Sequence, residues 1–96
     1  MTTETILREK RDEILRLAEK HGAMNVRVFG SVARNEEGEG SDVDFLVDAG
    51  PETSQFFPGG LLSDLEQLLG RRVDILTTTA LHWYIRDKVL REAKPL

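Results

Sequence analysis

Two aspartates one residue apart, Asp42 and Asp44, open the apolar run Phe45-Leu46-Val47. A strand through Asp42 to Val47 places Val43, Phe45 and Val47 on one face. Asp42, Asp44 and Leu46 fall on the other. Only one face of such a strand can be packed along its whole length. The charged end of the other face must meet solvent, a cation or a ligand. Just upstream, a second apolar run, Val26-Arg27-Val28-Phe29, ends at Gly30-Ser31. Together they read V-F-G-S-V-A-R-N-E-E-G-E-G-S-D-V-D-F-L-V-D.

Each part of this stretch has a chemical reading and a plain structural one. Gly30 allows close backbone approach and positive φ. A turn of successive N–H groups followed by a helix start binds anions, and the Ser31 hydroxyl can add a hydrogen bond. The structural alternative is a strand-ending glycine followed by a helix-capping serine. Arg34 lies one turn on and serves either a phosphate or a structural carboxylate. Asp42 and Asp44 on one strand face can grip a hard divalent cation; a solvated strand end is the alternative. An EF-hand loop is excluded, because Phe45, Leu46 and Val47 stand where further ligands and the turn glycine are needed. Asp74, within Val73-Asp74-Ile75-Leu76, reads as a charge in a buried strand, or as an edge residue paired with Arg71 or Arg72. Three carboxylates beside a phosphate-binding turn would suit metal-assisted phosphoryl or nucleotidyl transfer.

The remaining sequence supplies a frame. Residues 4–21 have an amphipathic helical pattern with Leu7, Ile14, Leu17 and Ala18 as its apolar stripe, Thr3 as N-cap and Gly22 as stop. Residues 31–35 fit one helical turn and 36–40 a loop. Leu61–Leu69 is a helix stopped by Gly70, and Arg72–Thr77 is a third strand. A last helix runs from a Thr78 or Thr79 cap through Ala93, with Leu81, Ile85 and Val89 as its stripe and Pro95 as its limit. The expected class is α/β (α+β): a small mixed sheet of about three strands with packed helices, ordered α-β-(turn)-β-α-β-α. The strands are too few for a doubly wound dinucleotide fold.

The 96 residues suit one domain, residues 1–96, with a thin core. Net charge is −4, which disfavours binding to a DNA or RNA backbone. A Mg²⁺-bound nucleotide or a basic protein remains compatible. The chain has no cysteine, so a disulfide framework and a thiolate zinc site are excluded. No apolar run is long enough to span a membrane and no signal peptide is evident, so the cytoplasm is the expected location. His21 reads as a helix C-terminal cap. His82 has no ligand partner at metal spacing. Trp83 and Tyr84 are neighbours on a helix and face different ways, so one is expected in the core and the other as an interface anchor. Phe56 and Phe57 are expected to cover either a nucleotide base or the core.

G-S-V-A-R, S-D-V-D-F-L-V and R-V-D-I-L together resemble the signature of the minimal nucleotidyltransferases of the DNA polymerase β superfamily. The resemblance spans nearly the whole chain, and the combination is far more specific than its parts. It implies a polymerase β-like nucleotidyltransferase fold and an enzyme that uses Mg²⁺ and ATP. Members are commonly paired with a helical HEPN-type toxin, and act as antitoxins by transferring AMP to a tyrosine of that partner. By the resemblance, Gly30, Ser31, Arg34 and Ser41 belong to the nucleotide-binding stretch. Asp42 and Asp44 hold two Mg²⁺ ions, and Asp74 is the third carboxylate, acting on the metal and the attacking hydroxyl. A hetero-oligomer with the toxin follows from the same pairing. One departure is Asn35, where the family usually has glycine; asparagine tolerates the left-handed conformation. Glu36, Glu37 and Glu39 make the loop acidic and are expected to face outward. The alternative functions are neutralisation of a partner by contact alone, and nucleotidyl transfer to tRNA or a small molecule.

Overall fold

A computed structural model describes residues 3–33 and 42–96, with residues 31 and 32 described for their backbone alone. Helices α1 (Thr3–Glu9) and α2 (Arg11–Lys20) lead into strand β1 (Ala23–Phe29). One turn of helix, α3 (Gly30–Ala33), follows directly. Strand β2 (Val43–Ala49), helix α4 (Gly59–Leu69) and strand β3 (Val73–Thr77) form the centre. A 3-10 turn (Thr78–Ala80), helix α5 (Trp83–Glu92) and strand β4 (Lys94–Pro95) complete the order.

The sheet runs β3-β2-β1-β4. β2 is antiparallel to β1 and parallel to β3, and β4 is antiparallel to β1. The sequence pattern suggested about three strands; the fourth is two residues long. Proline there ends α5 and also fits an edge strand, where its missing N–H costs no ladder bond. Leu96 extends the tie by donating its N–H to Val26 O at 3.1 Å.

Alternation along β2 separates two layers, as its pattern requires. Val43, Phe45 and Val47 are buried against Leu7, Ile14 and Ala18 from the first two helices. Leu61, Leu65 and Leu69 of α4 close the same core. Gly70 stops α4 in the left-handed conformation, φ 65°, where its N–H reaches Glu66 O. On the opposite face Leu46 is fully buried beneath Leu81 and Val89.

Several boundaries differ from the sequence pattern; β1 begins at Ala23 rather than Val26, and α4 at Gly59 rather than Leu61. The first helix divides at Lys10 into α1 and α2. Thr3 begins α1 as a buried residue rather than a cap, and its Oγ1 has no hydrogen-bond partner among the described residues. The last helix starts at Trp83, because Leu81 and His82 are extended after the 3-10 turn. That turn is held by Thr78, whose hydroxyl bonds to the Asp48 carboxylate and whose carbonyl accepts from Arg86 Nη1 at 2.8 Å.

Candidate functional site

The carboxylates gather where the end of β1 meets the starts of β2 and β3. Phe29 is opposite Asp44 across the antiparallel ladder. Asp44 is opposite Asp74 across the parallel one. Adjacent strands lie about 4.8 Å apart, and residues two apart on a strand about 6.5–7 Å. Asp42, Asp44 and Asp74 therefore share a sheet face as a short row. Asp42 is exposed just before β2, and Asp44 is half-buried.

Asp74 corrects one expectation. It is exposed rather than buried, although its neighbours Val73 and Ile75 are each 8 % exposed. The alternation of β3 sends those two into the core and leaves Asp74 on the open face. Among the described residues it forms no ion pair with Arg71 or Arg72.

Gly30 completes this corner. It begins α3 at φ 74°, a conformation that side chains disfavour. A Cβ there would collide with Oδ2 of Asp44. The glycine thus serves both the turn and the approach of the carboxylate to the backbone. Ser31 follows as the second residue of α3. Arg34 and Ser41 lie outside the described residues, as do Asn35 and the acidic stretch 36–40.

Hard oxygen donors in an open row fit magnesium. Mg²⁺ is typically held by one or two carboxylates, with phosphate oxygens and water completing its shell. Among the described residues no three acidic, histidine or cysteine side chains converge closely enough to hold a metal ion together, so the pair Asp44 and Asp74, adjacent across the ladder, is the part of the row that fits the cation.

A second polar group, not foreseen in the sequence, lies at the other end of this face. Asp48 Oδ1 accepts from Arg27 Nη2 at 2.9 Å, and Oδ2 accepts from Asn25 Nδ2 at 2.6 Å. The Thr78 hydroxyl bonds to Oδ1 as well. Asn25 sits at φ 51° where the β1–β2 register shifts, and asparagine is among the few residues suited to that conformation. The bonds from Asn25 and Thr78, with the Arg27 charge, hold the Asp48 carboxyl below its ordinary range. Asp48 has the same strand parity as Asp42 and Asp44, which was the available signal, but its partners come from distant residues.

The other candidates fall away from the aspartate corner. His21 caps α2, and its Nε2 lies 2.7 Å from Asp64 Oδ2 on α4. That bond, with Lys20 nearby, lowers the Asp64 pKa. Phe57 packs on the main core, whereas Phe56 is exposed. Both follow the C-terminal end of β2, whereas the aspartates lie at its start. Trp83 and Tyr84 are both exposed, contrary to the expected division of roles. The start of α5 is tied to the 3-10 turn by Arg86, which donates to Thr78 O at 2.8 Å, and the helix packs on the sheet further along, through Val89 and Leu90.

A family model for the nucleotidyltransferase domain matches residues 7–96. The chain belongs to this nucleotidyltransferase family. The protein adenylyltransferase MntA of Thermococcus cleftensis is 44% identical over 78 residues, covering 79% of this chain and 77% of the relative. A solved structure provisionally assigned as a minimal nucleotidyltransferase superposes with TM-score 0.86 at 48% identity, covering 100% of this chain and 97% of the other. A toxin–antitoxin crystal structure with AMP-PNP has TM-score 0.74 at 20% identity, covering 88% of this chain and 69% of that one, a likeness of fold. This nucleotidyltransferase therefore has the mixed sheet and helices of the minimal members of its family. Among the described residues no helix is long and apolar enough to cross a membrane.

Proposed function

We propose that this nucleotidyltransferase transfers AMP from Mg-ATP to a tyrosine hydroxyl of a helical HEPN-type toxin and thereby acts as its antitoxin. The register that sets Asp44 beside Asp74, at the glycine turn, carries this reading. Kinship with a protein adenylyltransferase supports a protein acceptor. The fold likeness to a toxin–antitoxin chain crystallised with AMP-PNP is consistent with that partner and nucleotide. On this reading residues 1–96 work as one nucleotidyltransferase unit, in the cytoplasm, as part of a hetero-oligomer with the toxin.

Asp42, Asp44 and Asp74 are the residues that would hold two Mg²⁺ ions. Bound magnesium neutralises phosphate charge and acidifies an attacking hydroxyl. The backbone N–H groups at Gly30-Ser31 would receive the triphosphate, with the Ser31 and Ser41 hydroxyls and Arg34 adding contacts. Asp74, exposed at the open side of the row, would meet the acceptor and take its proton. The hydroxyl oxygen attacks the α-phosphorus in line and pyrophosphate leaves.

The test combines the chain, the protein encoded by the adjacent gene, and ATP labelled at the α-phosphorus. The expected result is a labelled phosphotyrosine ester on the partner, with loss of its toxicity. Combined Asp42→Ala and Asp44→Ala should abolish both. Full neutralisation by that double variant would instead favour inhibition by contact alone.

A further inference from the structure

Tyr84 is the only tyrosine in the chain, and it stands at the surface, 68% exposed. It belongs to a group of three rings at the start of α5. The Tyr84 ring meets that of His82 edge to face at 4.4 Å between centroids, and that of Trp83 at 5.7 Å. Trp83 is itself 81% exposed. The fold does not use these rings for its core: α5 is anchored by Val89 and by Leu81 before it. Accessible Trp and Tyr side chains of this kind anchor protein contacts.

Resting on the preceding reading, that the site adenylylates tyrosine hydroxyls of proteins, we propose that Tyr84 is itself an acceptor, modified by a second copy of this chain. The fold argues against transfer within one molecule. Asp74 is the second residue of β3, and Thr78 follows the far end of that strand. α5 begins beyond this end, where Arg86 bonds back to Thr78 O. It then returns along the sheet, since Lys94 after it pairs with Val28, beside the Phe29–Asp44 corner. A helix of ten residues is about 15 Å long. Tyr84 thus sits at the end of the sheet opposite the aspartate row. A second copy can present the same ring to that row with Trp83 as a contact beside it.

In the reaction, Tyr84 Oη attacks the α-phosphorus of ATP. An Oη–phosphorus bond forms, the bond from that phosphorus to the bridging oxygen breaks, and pyrophosphate departs. The phenolic proton passes to the Asp74 carboxylate of the attacking site and then to water. The product places a phosphodiester charge on an aromatic surface. Lys88, four residues on, shares that helix face, as does Asp87, three residues on. Modification therefore adds a negative charge to the aromatic group, next to Lys88 and Asp87.

The test incubates the purified full chain with Mg-ATP labelled at the α-phosphorus, alone and with the protein encoded by the adjacent gene. The proposal predicts label on the chain, mapped to the Tyr84 peptide, at a rate that rises with the square of chain concentration. Tyr84→Phe should lose that label while still labelling the partner. An Asp44→Asn chain, which keeps Tyr84, should become labelled when mixed with the Tyr84→Phe chain, whose aspartates are intact. Labelled partner with unlabelled Tyr84 overturns self-modification and leaves AMP transfer to the partner standing. A rate proportional to chain concentration overturns the second-copy route. Absence of label from both proteins overturns this proposal together with the reading beneath it.

Discussion

At the scale of single residues, Gly30 and Asp44 have to be read together. The glycine has positive φ and no side chain, and the carboxylate occupies the space a Cβ would need. Gly30→Ala should therefore do two things. The left-handed conformation costs a residue with a Cβ about 1–2 kcal/mol, and the methyl group displaces Asp44. Nucleotidyl transfer should fall well beyond what the loss of folded protein explains. Denaturant melts alongside initial rates on the same preparation separate the two effects. The aspartates and the turn were legible in the sequence, because alternation on a strand fixes which residues share a face. The exposure of Asp74 was not. Flanking apolar residues indicate a buried strand, but they do not say which of its faces is covered.

At the scale of elements, the Asp48 group pins the 3-10 turn and α5 to the sheet. It was invisible in the sequence because its members are separated by tens of residues and meet only through the fold. Its carboxyl is held below the ordinary aspartate range, first by the bonds from Asn25 and Thr78 and then by Arg27. A lowered folded-state pKa means that the ionised form supports folding. That contribution is present above the unfolded value and is lost as pH falls through the folded one. Asp64, lowered chiefly by its bond from His21, acts in the same direction between α2 and α4. Melting temperature should thus drop as pH falls below the ordinary carboxylate range and on through the lowered folded-state one. Asp48→Asn should narrow that drop while costing about 1–3 kcal/mol at neutral pH, the usual scale for hydrogen bonds to a charged group. A pH drop as large in the variant as in the parent chain would exclude Asp48 from the effect. The expected stripe of the last helix was only partly right. Leu81 and Val89 are each 8% exposed, whereas Ile85 is 36% exposed. Likewise β4 escaped notice, since two residues are too few to show alternation.

At the scale of the whole molecule, one sheet serves two purposes. The face beneath α1, α2 and α4 holds the main core around Phe45, which is fully buried. Its other face carries the aspartate row at one end, Leu46 in the middle and the Asp48 group at the other end. Phe45→Ala should remove about 3–5 kcal/mol. Small domains hold only about 5–15 kcal/mol in total, so chemical denaturation should show a sharply lowered midpoint or no folded baseline. Bound Mg-ATP should recover part of that loss by mass action if it binds the folded state alone.

The central claim is that the row on β2 and β3 carries out nucleotidyl transfer. Its most direct measurement is the initial rate of AMP transfer from Mg-ATP to the partner protein by Asp44→Asn and Asp74→Asn chains, each shown to be folded by circular dichroism. Asparagine keeps the shape and removes the charge. The account predicts a loss of about 10²–10⁴-fold in each, the range for a side chain that acts on the transferred proton or charge. Rates equal to that of the parent chain in both variants would contradict it.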